Sequence, residues 1–314
     1  MVDRCRICGQ PATHEAGSYA FCDAHFERLL RQRRSLWRAD ALALLGVLAF
    51  VSIVWVLDAL LSPRIDGAWL VGVGLVVSIV PAALWMILFY QWDRLEPEPK
   101  GLVIQVMLLA ALLEAAIGIP AVRDFFDVGA WLDRGLAVQI AGNILVIGLV
   151  QVALIYLTVR LFVYSSPDFN EWTDGILYGT AAGLGVALVL NVDFIAGSGG
   201  ADLGTGALRV ALTALVLSSI GGLVGYFLGH DRLEVRPVWF VPAGAALAAI
   251  LAGIYWWLRT SVTGGFVGPI PKTWIGLGLA VVLAAVVTVF LASRVRGELD
   301  RAVRRLAVPG GTQP

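Results

Sequence analysis

Three cysteines and a histidine near the start of the chain have the spacing of a metal site. Cys5, Cys8, Cys22 and His25 form the pattern C-x2-C-x13-C-x2-H. A two-residue gap lets both side chains of a pair converge on one tetrahedral ion, and four protein ligands leave no coordination position for water. Gly9 directly follows Cys8 and suits the tight turn of a metal knuckle. The pattern therefore predicts a structural zinc module.

Two other interpretations of these thiols stay open. Mixed cysteine and histidine ligation also occurs in iron–sulfur proteins, although it is rarer there. The segment could also be a polar tail with incidental thiols in a reducing compartment. So short a segment cannot bury enough apolar surface to fold alone, so a bound metal would supply its folding free energy. His14 lies between the two pairs and is expected to be a solvated loop residue.

The composition of the whole chain is that of a membrane protein. Its 314 residues are 59% hydrophobic and 15% charged, with a mean hydropathy of +0.82. Soluble chains average about 45–50% apolar and about 25% charged residues. The 23 basic residues are balanced by 23 acidic ones, which excludes nucleic-acid binding driven by net charge.

Apolar stretches of near-spanning length predict an all-α polytopic membrane protein with about eight transmembrane helices. These stretches run over residues 41–61, 68–91, 102–121, 136–159, 175–196, 207–229, 238–258 and 273–292. An even number of spans puts both termini on one side, and 17 of the 23 lysines and arginines then fall on that side. The bias predicts cytoplasmic termini. The thiols would then lie in a reducing compartment, where zinc binding is expected.

Four regions follow from this reading. They are a zinc-knuckle module over 1–25, a basic juxtamembrane helix over 26–40, a membrane bundle over 41–293 and a basic, polar cytoplasmic tail over 294–314. The segment 26–38 carries five arginines among apolar residues, which favours contact with anionic lipid. An ordinary positive flank that only sets topology explains the same pattern.

Polar residues inside the predicted spans are candidates for function, because a charge in lipid is expensive. Glu114 is the most deeply placed carboxylate. Asn191 and Asp193 lie near the outer end of the fifth span, two residues apart, so they are expected to point to different helix faces. Asp124 is a further weak catalytic candidate. Asp174 begins the fifth helix, where a carboxylate can cap free N–H groups.

The segment 92–99, WDRLEPEP, differs in kind from the other connections. Its two Glu-Pro steps keep the backbone extended and end the preceding helix sharply. They predict a compact charged hook at the membrane surface, formed by Asp93, Arg94, Glu96 and Glu98. A plain polar loop with helix-breaking prolines is the alternative. Together with Asp174, the hook supplies the candidate binding residues.

Glycine spacing on two spans predicts close helix packing. Gly179-x3-Gly183 and Gly221-x3-Gly225 have the small-x3-small pattern that lets two helix backbones approach.

These segments together resemble the PrsW family of bacterial intramembrane proteases. The resemblance rests on WDRLEPEP, on RLFVYSSPDFNEWTDGILYGTAAGLG (160–185) and on GGLVGYFLG (221–229), and it covers about residues 90–230. It implies a location in the bacterial inner membrane. It also implies chemistry by polar groups within the spans: a Glu-Glu-x-x-Lys motif, a Glu-Asn pair and a histidine.

This chain departs from that pattern at nearly every reactive position. The first motif falls on Gln151, Val152 and Ile155, the Glu-Asn pair on Leu190 and Asn191, and the histidine on Leu217. Of these positions, only the asparagine keeps the family's residue. A second register, on 123–127, lies too far from Asp174 and also lacks the lysine.

Aliphatic side chains cannot activate a water. The sequence therefore favours an inactive homologue, or pseudoprotease, that binds membrane protein segments. An active endopeptidase with relocated catalytic residues is the first alternative, and a small transporter or channel is the second. The expected cofactor is structural zinc. The expected partners are membrane lipids and a single-span membrane protein or cytoplasmic protein, with no nucleic acid.

Overall fold

The computed structural model describes most of the N-terminal module and most of the membrane bundle. The described residues are 4–5, 8–16, 19–27, 45–46, 49, 52–53, 56, 76, 78–87, 98–197, 203–262, 266–267, 270–271, 278–279, 281–291 and 293–294. The chain divides into two units, Met1–Leu42 with Thr288–Pro314 and Ala43–Val287.

The N-terminal module contains a small antiparallel hairpin. Strand β1 (His14–Ala16) pairs with β2 (Tyr19–Phe21), with His14 opposite Phe21. A helical turn over 23–27 follows directly. Before the hairpin, the backbone turns tightly, and the amide of Gly9 donates to the carbonyl of Cys5 at 2.8 Å. Gly9 has a positive φ of 71°, a conformation that glycine adopts without steric cost.

The main unit is built from long apolar helices, which confirms the all-α polytopic fold. The helices with their bounds are α1 (Ser78–Ile87), α2 (Lys100–Arg134), α3 (Leu136–Val163), α4 (Trp172–Gly197), α5 (Leu203–Leu233), α6 (Phe240–Val262) and α7 (Val281–Leu291). Five of them, α2 to α6, are long and apolar enough to cross a membrane. Two short strands, β3 (Phe266–Val267) and β4 (Ile270–Pro271), pair after α6.

The total of about eight spans stays a prediction. Helices α1 and α7 lie inside the predicted spans 68–91 and 273–292 but are shorter than a span. Most of 41–61 and all of the predicted basic helix 26–40 after Glu27 lie outside the described residues.

Helices α4 and α5 form the centre of the bundle, because glycines let their backbones touch. A Cβ added at Gly179 or Gly183 would press into a backbone carbonyl of α5, and one at Gly221 or Gly225 into a carbonyl of α4. The predicted packing notches are confirmed. The same contact extends to Gly175, which faces Gly225 and Gly229.

Helices α2 and α3 are interrupted by π-helical segments that the sequence pattern did not predict. They cover Glu114–Gly118 and Ala121–Phe125 in α2, and Asn143–Gly148 and Val159–Val163 in α3. A π-helical segment inserts an extra residue into the turn and often marks a functional position. Two of these segments begin at a buried polar residue, Glu114 and Asn143.

The connection between α3 and α4 is tied to the end of α5 by polar and aromatic contacts. The Tyr164 hydroxyl donates to Asp231 at 2.9 Å, and Arg232 donates to the carbonyl of Ser166 at 2.8 Å. The Arg232 guanidinium also lies over the ring of Phe169. Burial, together with the contact to Asp231, raises the pKa of Tyr164, so its hydroxyl keeps the donated proton.

Candidate functional site

The four predicted metal ligands come together at the N-terminal module. Their ligand atoms all lie within 4.8 Å of one another. The knuckle turn carries Cys5 and Cys8, while the second strand ends at Cys22. The helical turn then brings His25 back, since its amide donates to the carbonyl of Cys22 at 3.0 Å. Local backbone geometry thus converts the two C-x2 spacings into one cluster.

Two of the distances within the cluster match those around a tetrahedral ion, whereas the separation between His25 and Cys22 is shorter. The Sγ atoms of Cys8 and Cys22 are 3.7 Å apart, and Nδ1 of His25 lies 3.6 Å from Sγ of Cys5 and 3.1 Å from Sγ of Cys22. With Zn–S near 2.3 Å and Zn–N near 2.0–2.1 Å, neighbouring ligand atoms of a tetrahedral zinc lie roughly 3.5–3.8 Å apart. Cys5 and Cys22 are buried and Cys8 is exposed. The cluster can therefore hold a metal ion.

His14 lies outside this cluster and supports it from the side. Its Nε2 is 2.7 Å from Oδ1 of Asp23, and its ring stacks on Phe26 with centroids 4.3 Å apart. Asp23 also accepts a hydrogen bond from Thr13 at 2.8 Å. The bonds from Thr13 and His14 lower the pKa of the Asp23 carboxyl. Asp23, which follows Cys22, is therefore held as a carboxylate that stabilises the hairpin.

In the bundle, three of the positions that the resemblance assigns to a protease motif carry buried aliphatic side chains, whereas a fourth, Leu190, is half-buried. Val152, Ile155 and Leu217 are exposed by 1%, 0% and 0%. Gln151 is also buried, and its Oε1 accepts the indole N–H of Trp256 at 2.7 Å. No sequence pattern predicts this bond, because Trp256 lies on another helix far along the chain.

Asn191 and Asp193 point to different helices, as their spacing predicts. Asn191 is buried and donates to the carbonyl of Val210 on α5 at 3.1 Å. Asp193 forms an ion pair with Arg123 on α2, with 2.8 Å between the charged atoms. Asp124 is exposed. These three candidates therefore do not converge on one site.

Glu114 is the catalytic candidate with the most unusual environment. Its side chain is 1% exposed, and its Oε2 has no hydrogen-bond partner among the described residues. Gly118, one turn further on, leaves the space that the carboxyl occupies. Glu114 is also close enough to Asp193 for the two acids to interact electrostatically.

Of the predicted hook, only Glu98 lies within the described residues; Asp93, Arg94 and Glu96 lie outside them. Glu98 is 4% exposed and accepts a hydrogen bond from the Tyr178 hydroxyl at 2.5 Å. Tyr178 is part of the Asp-Gly stretch of α4, so the two motifs of the resemblance meet in space. The resemblance includes both segments, but no sequence pattern predicts that these two residues form a pair.

Asp174 is buried in the first turn of α4 and acts as a cap. Its Oδ2 accepts the backbone N–H of Asn170 at 2.8 Å and of Glu171 at 2.6 Å. Both amides precede the helix, so the carboxylate reaches back over the helix start in the manner of a capping box. This contact orders the connection that leads into α4.

Three curated proteins, each named Protease PrsW, are similar to this chain. The one from Geobacillus kaustophilus is 25% identical over 182 residues, which cover 58% of this chain and 77% of that protein. The one from Bacillus subtilis is 25% identical over 190 residues, covering 59% and 82%. The one from Halalkalibacterium halodurans is 26% identical over 171 residues, covering 53% and 74%.

No protein-family model matches the chain, and no solved structure gives a significant match. The three relatives and the five apolar helices of spanning length describe a multi-pass membrane protein related to PrsW proteases. The similarity supports membership of the PrsW family.

Proposed function

We propose that this chain is a catalytically degenerate PrsW-like protein, a pseudoprotease that binds membrane protein segments without cutting them. The observation that carries the proposal is the aliphatic interior at the motif positions. Val152, Ile155 and Leu217 stand where the resemblance expects two ionisable side chains of the Glu-Glu-x-x-Lys motif and a histidine. Their side chains are buried, with exposed fractions of 1% or less. None of them can take or give a proton.

The remaining polar groups at these positions are engaged in structural bonds. Gln151 accepts a hydrogen bond from the indole of Trp256, and Asn191 donates one to the carbonyl of Val210. A side-chain amide does not titrate near neutral pH and cannot serve as a general base. The two segments that carry the resemblance also pack together, since Tyr178 donates a hydrogen bond to Glu98. A helix bundle that keeps its packing and loses its proton-transfer groups suits binding better than hydrolysis.

An active endopeptidase is the second candidate, and Glu114 is the observation that favours it. This acid is buried, has an oxygen without a partner among the described residues and interacts with Asp193. Two nearby carboxyl groups can share the roles of acid and base. However, Asp193 already forms an ion pair with Arg123. Water activation would have to rest on Glu114 alone.

A cleavage assay in proteoliposomes separates the two candidates. The full chain is reconstituted with a labelled single-span substrate beside an active PrsW protease as positive control, and gel electrophoresis follows the substrate. We expect no product above the background of empty vesicles, while chemical cross-linking captures the intact substrate. Cleavage that disappears in Glu114→Ala or Asp193→Ala would refute the pseudoprotease proposal, and so would failure to capture the substrate.

For the N-terminal module, we propose a structural zinc ion bound by Cys5, Cys8, Cys22 and His25. The cluster distances support this ligand set. Zinc bound there would replace the apolar core that so small a module lacks. Elemental analysis of the purified full chain should give one zinc per chain. Cys8→Ser should lose most of it, whereas His14→Ala should keep it; a ratio near zero in the unaltered chain would overturn the assignment.

We further propose that the protein resides in the bacterial inner membrane with both termini in the cytoplasm. The excess of lysine and arginine on the terminal side supports this orientation. A C-terminal fluorescent-protein fusion should fluoresce, while an alkaline phosphatase fusion at the same site should be inactive. The reverse pattern would contradict the orientation.

A further inference from the structure

Two arginines from neighbouring helices converge at one end of the bundle. Arg209 lies near the beginning of α5, and Arg259 lies near the end of α6. The short connection between α5 and α6 makes the two helices antiparallel neighbours, so both arginines belong to the same end. Under the predicted topology, this is the outer end.

Thr213 and Tyr255 hold the centre of this cluster. Nη1 of Arg259 is 3.5 Å from Oγ1 of Thr213, and the Tyr255 hydroxyl is 3.3 Å from the same oxygen. Arg209 interacts electrostatically with Tyr255. Thr213 and Tyr255 are buried, whereas both arginines are half-buried. We call Arg209, Thr213, Tyr255 and Arg259 the arginine cluster.

No carboxylate balances this cluster in the part of the chain that the structure describes. Neither Arg209 nor Arg259 has an ion pair there. The nearest acid along α4 is Asp193, which forms its ion pair with Arg123. Each guanidinium instead stacks on an aromatic ring. Arg209 lies 3.2 Å from the ring centroid of Phe194, and Arg259 lies 4.4 Å from that of Trp256.

Stacking fixes the plane of a guanidinium but leaves its N–H edges free to donate. Both guanidiniums are positively charged, and an anion that accepts hydrogen bonds from them would offset that charge. The planar donor fork of arginine matches the oxygens of a phosphate, to which it can donate two parallel hydrogen bonds. The arginine cluster therefore has the chemistry of a phosphate site.

The position of the cluster favours a lipid phosphate. Arg209 begins and Arg259 ends an apolar span, so both lie near the depth of the headgroups. Trp256 and Tyr255 are the amphipathic side chains typical of this depth. Basic pockets between spans bind anionic headgroups in other membrane proteins. We propose that the arginine cluster binds the phosphate of one anionic phospholipid.

Lipid retention measured by native mass spectrometry tests this proposal. The full chain is purified in detergent and titrated with dioleoyl phosphatidylglycerol, and in parallel with dioleoyl phosphatidylcholine. We expect one tightly held phosphatidylglycerol per chain, bound about tenfold or more tightly than phosphatidylcholine. Arg209→Gln combined with Arg259→Gln should remove this preference, whereas Arg134→Gln, at an exposed arginine of the same end, should keep it.

Two further arms make the result decisive. Arg259→Lys keeps the charge but loses the fork, so it should weaken binding while leaving the thermal unfolding midpoint close to that of the unaltered chain. This variant covers the case in which the double glutamine variant does not fold. Equal retention of phosphatidylglycerol in all variants would overturn the proposal. Displacement of the lipid by millimolar inorganic phosphate would reassign the site to free phosphate.

Discussion

Replacing Gly225 by alanine should loosen the central helix pair and lower stability substantially. A Cβ at this position would lie well inside 3.0 Å of the carbonyl oxygen of Gly175, a separation that real Cβ atoms essentially never show. Ordinary van der Waals contact begins near 3.4 Å, so α4 and α5 would have to move apart. The opposing atom is backbone and cannot rotate away.

The expected cost is near the upper end of the range for overpacking. Added methyl groups in well-packed interiors cost about 1–3 kcal/mol, and here the strain spreads along the helix pair because both backbones are rigid. We expect Gly225→Ala to lower the free energy of unfolding by about 3 kcal/mol. The packing that would be loosened includes the side chains of Tyr178 and Leu217, which are fully buried.

The measurement is unfolding of the detergent-solubilised chain in increasing sodium dodecyl sulfate, followed by tryptophan fluorescence. Gly101→Ala is the matched control, since nothing lies within 4 Å of a Cβ built there and α2 should gain slightly from alanine. Gly175→Ala strains the same contact, so the double variant should cost less than the sum of the two single variants. Equal midpoints for Gly225→Ala and Gly101→Ala would refute the close packing of α4 on α5.

Three further substitutions probe other contacts by the same unfolding assay. Tyr178→Phe removes the donor to the buried carboxylate of Glu98 and should cost about 1.5–3 kcal/mol. Asp174→Ala removes the acceptor of two backbone amides before α4 and should cost about 1–2 kcal/mol. Gly118→Ala should change stability by less than about 1 kcal/mol, because the atoms it meets are the flexible end of Glu114 and the helix gains from alanine.

A different order or size of these stability losses would contradict the contacts behind them. Tyr164→Phe removes a similar bond to Asp231 at a less buried position and should cost less than Tyr178→Phe; the reverse order would contradict the burial of Glu98. For Asp174, a cost below about 0.5 kcal/mol would contradict the two backbone hydrogen bonds that it accepts. A Gly118→Ala variant as unstable as Gly225→Ala would mean that Glu114 is held rigidly.

Local spacing was enough to predict the two ligand pairs of the candidate metal cluster. Cys5 and Cys8, like Cys22 and His25, are separated by two residues, and such pairs meet within one turn whatever the rest of the chain does. The knuckle glycine, Gly9, was predictable for the same reason. Bringing the two pairs together required the hairpin between them, whose strands are only three residues long and carry little sequence signal.

The spans were also predictable, because a membrane imposes a length and an apolar character on every helix that crosses it. The span boundaries were less predictable. Helix α2 continues to Arg134, beyond the predicted end of that span at residue 121. The π-helical segments could not be foreseen. They depend on how α2 and α3 adjust to their neighbours, and the residue pattern of a π turn does not differ from that of an α turn.

The amino-acid sequence by itself determined a multi-pass helical protein, the candidate metal-ligand set and the absence of ionisable side chains at Val152, Ile155 and Leu217. Only the tertiary structure decided which distant side chains meet. It paired Glu98 with Tyr178, Gln151 with Trp256 and Asp193 with Arg123. The physical reason is that apolar periodicity places a helix in the membrane but says little about its rotation. In this bundle, the glycine contacts between backbones orient the central pair, α4 and α5, and the buried polar pairs are then formed across the helices packed around it.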